Sequence, residues 1–270
     1  MTTPKFIYGT AWKKEQTTLR VLTAWQAGFR AFDTACQPKH YREDLVGDAL
    51  VQLMAEGNSR SDFYLQTKFT PVSGQDEQTI PYNPSLPLSQ QVEASFKDSQ
   101  KNLHTDYVDA LILHSPISPF EHTLEAWQAM ENIHYAGSAK QLGISNCYDF
   151  NLFKHLYKTV EVKPSIVQNR FYAKTDYDKN LRTFCLAQGI EYQSFWTLTA
   201  NPHILEHATL MWLTRRLRKT PAQILFRYLI QRGVTPLTGT CDQEHMQEDL
   251  AVFEFELSED DLSSIDAVLN

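Results

Sequence analysis

Eight short apolar runs, each followed by a stretch with helical spacing, leave this chain few ways to fold. The runs are Ile7-Tyr8-Gly9, Ala31-Phe32-Asp33, Phe63 to Lys68, Val108 to His114, Gln141 to Ser145, Ser165 to Gln168, Ile190 to Gln193 and Val234 to Pro236. Strands that are apolar on both sides belong to a parallel sheet covered by helices. Between the runs, Leu19, Val21, Leu22 and Trp25 recur at helical spacing, as do Leu45, Val46, Ala49, Leu50 and Leu53. Gly28 and Gly189 stand where a left-handed cap closes a helix, and Thr220-Pro221-Ala222-Gln223 reads as a capping box with proline at the first helical position. Eight such units in 270 residues predict an α/β fold, a closed (β/α)8 TIM barrel forming a single domain over residues 1–270. The alternative is an open doubly wound sheet. Such a sheet normally carries a glycine-rich turn after its first strand, and Gly9-Thr10-Ala11-Trp12 has no such spacing.

Charge and composition narrow the partners. The net charge is −7, so the broad basic face that nucleic acid requires is not expected. No apolar run approaches the about 18 residues that span a bilayer, and Met1-Thr2-Thr3-Pro4-Lys5-Phe6 lacks the apolar segment of a signal peptide. A soluble cytoplasmic protein with no membrane partner is the expectation. Cys36, Cys147, Cys185 and Cys241 lie far apart without metal-ligand spacing, which predicts reduced thiols and no metal site. Cys36 stands nearest the strand ends, where a thiol would be open to oxidants.

In a barrel of this kind function sits at the carboxyl ends of the strands, where Asp33, Lys68, His114, Ser145, Asn146 and Gln168 all fall. Singly, each has an ordinary structural role: Asp33 as a helix cap, Lys68 as a solvated charge, His114 as a core histidine. Together an acid, a lysine and a histidine close three consecutive strands, with Tyr41 in the loop after the first. A lysine buried beside a carboxylate points to a use in proton delivery.

These residues resemble the aldo-keto reductases, NADPH-dependent (β/α)8 barrels, across nearly the whole chain. The matching motifs include Gly28 to Ala35, Val46-Gly47-Asp48-Ala49-Leu50, Thr67-Lys68, Asp106-Tyr107-Val108-Asp109, Leu113-His114, Gly143-Ile144-Ser145-Asn146, Val167-Gln168, Lys219 to Gln223 and Phe253 to Ser258. The resemblance implies a catalytic tetrad of Asp33, Tyr41, Lys68 and His114 that reduces an aldehyde or ketone. A tyrosine, with an ordinary pKa of about 10, needs a nearby cation to act as an acid near neutrality. Lys68 would supply that charge, Asp33 would hold Lys68, and His114 would orient the carbonyl. The family places its tyrosine five residues after the aspartate, whereas Pro38 stands there in this chain and Tyr41 comes eight after. His40 is the alternative proton donor.

For the cofactor, the resemblance implies NADPH, with NADH as the second choice. Thr10 and Asp33 would approach the nicotinamide ribose, Ser145, Asn146 and Gln168 the carboxamide, and Phe195 would stack on the ring beside Trp196 and Leu198. Thr238, Thr240, His245, Glu248 and Asp249 would meet the adenosine half. Where the family has a Lys-Ser pair followed by an arginine for the 2′-phosphate, this chain reads Leu237-Thr238-Gly239-Thr240 and later His245. The substrate-side loops are short, Pro116 to Glu121 among them, and no long carboxyl-terminal tail follows the barrel. The expected pocket is therefore open, lined by Trp12, Phe69, Phe171 and Trp196, suited to a bulky or aromatic carbonyl, with Phe69 to Pro87 as an added wall. A monomer or weak homodimer is expected. Two other functions fit the same residues: a nucleotide-binding regulatory barrel with little turnover, and a lyase or aldolase using Lys68 as a Schiff base.

Overall fold

The computed structural model describes residues 4–269, so Met1–Thr3 and Asn270, the two ends of the stretch assigned to the domain, lie outside the described residues. Eight strands close into a barrel in sequence order, every neighbouring pair parallel. They are β1 (Ile7–Gly9), β2 (Ala31–Asp33), β3 (Tyr64–Phe69), β4 (Val108–Leu113), β5 (Ala139–Ser145), β6 (Ile166–Arg170), β7 (Glu191–Phe195) and β8 (Val234–Thr238). Helices α1 (Thr17–Ala27), α2 (Glu43–Ala55), α3 (Leu88–Leu103), α4 (Phe120–Tyr135), α5 (Phe150–Thr159) and α6 (Lys179–Gln188) follow the first six strands. Beyond β7 come α7 (Pro202–Leu205), α8 (Ala208–Leu217) and α9 (Pro221–Gln231), and beyond β8 come α10 (Gln243–Leu250) and α11 (Glu259–Val268). None of these helices is long and apolar enough to cross a membrane.

The expected stops are in place. Gly28 ends α1 at φ 118°, Gly189 ends α6 at φ 68°, and the Thr220 and Gln223 side chains close the box that starts α9. Alternation along the strands then sorts side chains into two layers. Outward residues such as Tyr8, Phe32, Leu65, Leu111, Ile144 and Val167 pack with the helices in one continuous apolar layer. Inward residues Ile7, Ala31, Tyr64, Ala110, Ile112, Ile166 and Leu237 form a smaller apolar plug. Above this plug the inward positions turn polar, and the barrel axis carries Asp33, Gln66, Lys68, Gln168 and Gln193, all nearly inaccessible to water.

Candidate active site

A buried carboxylate organises the carboxyl ends of the strands. Lys68 Nζ donates to both oxygens of Asp33 at 2.7 Å and to the Thr34 carbonyl at 2.8 Å, which uses all three ammonium protons. Asp33 Oδ1 also accepts from Gln66 Nε2 at 2.6 Å and Gln168 Nε2 at 2.9 Å. Gln66 and Gln168 each donate a second proton to Gln193 Oε1 at 2.9 Å, and Gln193 donates back to Gln66 Oε1 at 3.0 Å. A buried ion pair persists only where its spare lone pairs are met; Gln66 and Gln168 meet those of Asp33, and Gln193 holds the two amides in place. Burial draws the Lys68 amine below its ordinary pKa, and the Asp33 carboxylate opposes that shift.

Tyr41 and His114 stand over this pair. Lys68 Nζ lies 5.1 Å from the centre of the Tyr41 ring, and the Tyr41 and His114 rings meet edge to face at 6.1 Å. A turn in which the Gln37 carbonyl accepts from His40 N at 3.1 Å and Tyr41 N at 3.0 Å takes up the extra residues of the loop and brings Tyr41 above Lys68. Gln37 is itself tied down, its Nε2 donating to the Gly74 carbonyl at 2.6 Å. Burial pushes the Tyr41 phenol well above its ordinary pKa, and the Asp33 charge adds to this. His40 faces the same cavity, but its ring stacks on Trp12 at 3.9 Å and its Nδ1 meets Gln37 Oε1 at 2.9 Å.

The His114 imidazole is held neutral, its pKa pushed well below the ordinary value first by burial and then by the charge of Lys68. Its Nδ1 lies 2.6 Å from the Thr70 hydroxyl, and among the described residues this is the one hydrogen bond of that hydroxyl. A buried hydroxyl proton without an acceptor is costly, so Thr70 donates to Nδ1 and the ring proton resides on Nε2. Asn146 Nδ2 donates to the His114 carbonyl at 2.9 Å, and Ser145 Oγ donates to the Gln168 carbonyl at 2.7 Å.

A cavity of about 1150 Å³ runs from this cluster across the tops of β7 and β8. Its wall includes Asp33, Tyr41, His114, Ser145, Asn146, Gln168, Phe195, Trp196 and Leu198, and farther along Thr238, Thr240, His245, Glu248 and Asp249. Trp12, Asn146 and Trp196 on this wall have φ between 52° and 64°. Left-handed backbone at non-glycine residues costs energy and clusters at functional sites. At the far end burial raises the Asp249 carboxyl to about 7, opposed by a hydrogen bond with the Thr238 side chain. Lys13 reaches over β8 to donate to the Gly239 carbonyl.

Several expected wall residues are elsewhere. Lys68 and Gln66 point into the barrel, so Phe69 one step later points out, 1% exposed and packed on Tyr82 at 5.6 Å. By the same parity Arg170 faces the cavity and Phe171 is buried against Tyr177 at 4.9 Å. Thr10 follows inward Gly9 and is buried too, its hydroxyl donating to the Asp33 carbonyl at 2.9 Å. Lys68 forms the floor beneath the cavity rather than its wall. The Phe69–Pro87 segment builds no wall of the cavity: Tyr82 donates to the Thr70 carbonyl at 2.7 Å and Gln75 to the Cys36 carbonyl at 2.9 Å, which anchor it behind β3. Cys36 is 3% exposed, and burial pushes its thiol far above the ordinary range, so it is closed to oxidants. Sequence reasoning passed over Gln66, Gln193, Thr70 and Arg170. The first, second and last share inward parity with Lys68, Phe195 and Gln168, a period-two signal that was there to be read.

The model of the Aldo/keto reductase family matches residues 6–202 and 200–270. The chain is 27% identical over 253 residues to the glyoxal reductase of Bacillus subtilis, covering 94% of this chain and 83% of that one. Among solved structures, an aldo/keto reductase from Brucella melitensis aligns with a TM-score of 0.83 at 26% identity, over 99% of this chain and 95% of that one. A Bombyx mori aldo-keto reductase solved in complex with NADP aligns with a TM-score of 0.83 at 25% identity, over 99% of this chain and 89% of that one.

Proposed function

Since the chain belongs to the aldo/keto reductase family, we propose that it reduces aldehydes or ketones to alcohols with a nicotinamide dinucleotide, Tyr41 serving as the general acid. The observation that carries this reading is the stack of Asp33, Lys68 and Tyr41, with the neutral His114 ring at the edge of Tyr41. The cavity fits a dinucleotide: its volume of about 1150 Å³ takes in Phe195, which offers a ring face, and continues past Thr238 and Gly239 to His245, Glu248 and Asp249. Asn146, Ser145 and Gln168 would hold the carboxamide, and Thr238, Thr240, His245, Glu248 and Asp249 the adenosine half. When bound, the cofactor supplies the hydride.

The chain's own residues supply the proton and the polarisation. His114 Nε2–H and the Tyr41 hydroxyl both donate to the carbonyl oxygen, and they hold it more tightly as negative charge grows there. Tyr41 then yields its proton to that oxygen. Lys68 has no spare N–H and acts through its charge, stabilising the tyrosinate from below the ring, while Asp33 keeps that ammonium protonated and in place. Substituting Thr70→Val frees Nδ1 to take the ring proton and turns a lone pair toward the carbonyl. The expected result is a loss of about tenfold in kcat with cofactor affinity retained, and Thr70→Ser restores the rate. Steady-state kinetics on the two variants decide it.

A Schiff-base lyase fits less well. Lys68 is 1% exposed, fully hydrogen-bonded and held as an ion pair, whereas a nucleophilic amine must be neutral and reachable. The direct test mixes purified protein with an activated aromatic aldehyde and either NADPH or NADH and follows the loss of reduced nucleotide by absorbance. Oxidation is expected with both. NADPH is preferred by less than about tenfold, because no lysine or arginine stands among His245, Glu248 and Asp249 to pair with a 2′-phosphate. With its carboxyl raised to about 7, Asp249 is neutral at pH 6 and charged at pH 8, so the preference for NADPH rises as pH falls. Nucleotide binding without oxidation in either case would favour the regulatory barrel.

A further inference from the structure

Arg170 ends β6 in register with Phe195 and faces the cavity. Its guanidinium lies between two aromatic rings, 4.3 Å from the centre of Trp196 and 5.4 Å from that of Tyr172. Its backbone N–H donates to Tyr148 Oη at 3.2 Å, Tyr148 donates to Asn146 Oδ1 at 3.2 Å, and Asn146 donates to the His114 carbonyl at 2.9 Å, so the residue stands two side chains away from the candidate reaction centre. A guanidinium carries five N–H donors in a rigid fork and no acceptor. Here the Nε is buried and has no hydrogen-bond partner. No ion pair among the described residues includes Arg170, whereas Arg60 and Arg227 each hold a carboxylate. Of the acids on the same cavity wall, Asp33 is paired with Lys68, and Glu206, Glu248 and Asp249 leave Arg170 unpaired.

A planar cation fixed by two rings beside a reaction centre, with its buried Nε facing no acceptor, is built to receive an oxyanion from a ligand. We propose that Arg170 anchors a carboxylate on the carbonyl substrate, so that the preferred substrates are aldehydes or ketones bearing one negative charge, an inference that rests on the carbonyl-reductase reading. A carboxylate is favoured over a phosphate because Arg170 stands alone on this part of the wall, the other cavity cation, Lys13, being committed to Gly239 across β8. The fork matches the two oxygens of one carboxylate, and the Trp196 face, 47% exposed, covers the carbon skeleton that joins it to the carbonyl.

Two measurements test this separately from turnover as such. In the first, kcat/KM is compared for 3- and 4-carboxybenzaldehyde and for their methyl esters, which keep the ring and the carbonyl and remove the charge. At least one acid is expected to be favoured over its ester by about tenfold or more, the ratio falling to about one in Arg170→Gln and lying between in Arg170→Lys. In the second, tryptophan fluorescence is titrated with benzoate and with benzamide. Saturable quenching by benzoate, weak with benzamide and lost in Arg170→Gln, supports the anchor even if no carbonyl is reduced. Reduction of the neutral esters with no advantage for either acid and no response to benzoate would overturn the anchor while leaving the reductase reading intact. A tenfold loss of NADPH affinity in Arg170→Gln with the acid-to-ester ratio unchanged would also overturn it, and would assign the guanidinium to the cofactor's pyrophosphate.

Discussion

Replacing Tyr41 by phenylalanine is expected to lower kcat for carbonyl reduction about a thousandfold while leaving nucleotide binding intact, since a positioned general acid contributes about 10²- to 10⁴-fold. The ring remains to pack over Lys68 and against His114, so only the proton is lost. The pH profile adds an independent reading. Burial and Asp33 both push the phenol upward, so the acid stays loaded, and wild-type reduction is expected to be flat from about pH 6 to 9. Oxidation of the alcohol needs the tyrosinate and is expected to rise with pH across the same range. If the phenylalanine variant kept more than a tenth of the wild-type rate, proton delivery would fall to His40. That ring is engaged by Trp12 and Gln37, and a His40→Gln variant is expected to lose less than tenfold.

The second large effect concerns Lys68→Met. Removing one partner of a buried pair leaves the other as an uncompensated charge, at a cost of about 3–5 kcal/mol. For a chain of this length each kcal/mol lowers Tm by about 2–4 °C, so a fall on the order of 10 °C is expected together with loss of turnover. A double variant, Asp33→Asn with Lys68→Met, separates the two consequences. It restores charge balance and is expected to recover most of the Tm while remaining inactive, because no cation stands under Tyr41. Thermal melts and single-turnover rates on the three variants check this. Recovery of turnover in the double variant would overturn the role given to the ammonium.

How much of this was legible beforehand follows from the period of each element. All eight strands stand where apolar runs occur, though β5 begins at Ala139 rather than Gln141, and β6, β7 and β8 extend to Arg170, Phe195 and Thr238. Helices α10 and α11 leave a faint stripe, whereas α8, which buries Leu210 and Leu213, carries one that the sequence made readable. Only Met246 and Asp249 of α10 are buried, and the cap of α11, a box formed by Ser258 and Asp261, was its one clear signal. Asp33, Lys68 and His114 could be picked out because polar groups closing apolar strands are conspicuous. Phe69, Phe171 and Thr10 were misplaced because strand-end position was used without parity: one residue beyond an inward side chain the next points to the helices. Thr70 and the Gln37–Tyr41 turn lie in loops, whose hydrogen bonds leave no periodic trace.

The amide clasp around Asp33 bears on how the chain becomes a ring. Gln168 reaches Asp33 across 135 residues of sequence, and Gln66 reaches Gln193 across 127. None of these bonds can exist in a half-formed sheet, because their partners meet only once β2, β3, β6 and β7 share one interior. An acid and a lysine already paired by β2 and β3 stay wet until the later strands arrive, and the loss of that water coincides with closure. A barrel closed with β6 or β7 out of register would leave a desolvated carboxylate short of its amide donors, so the clasp favours the native register over its neighbours.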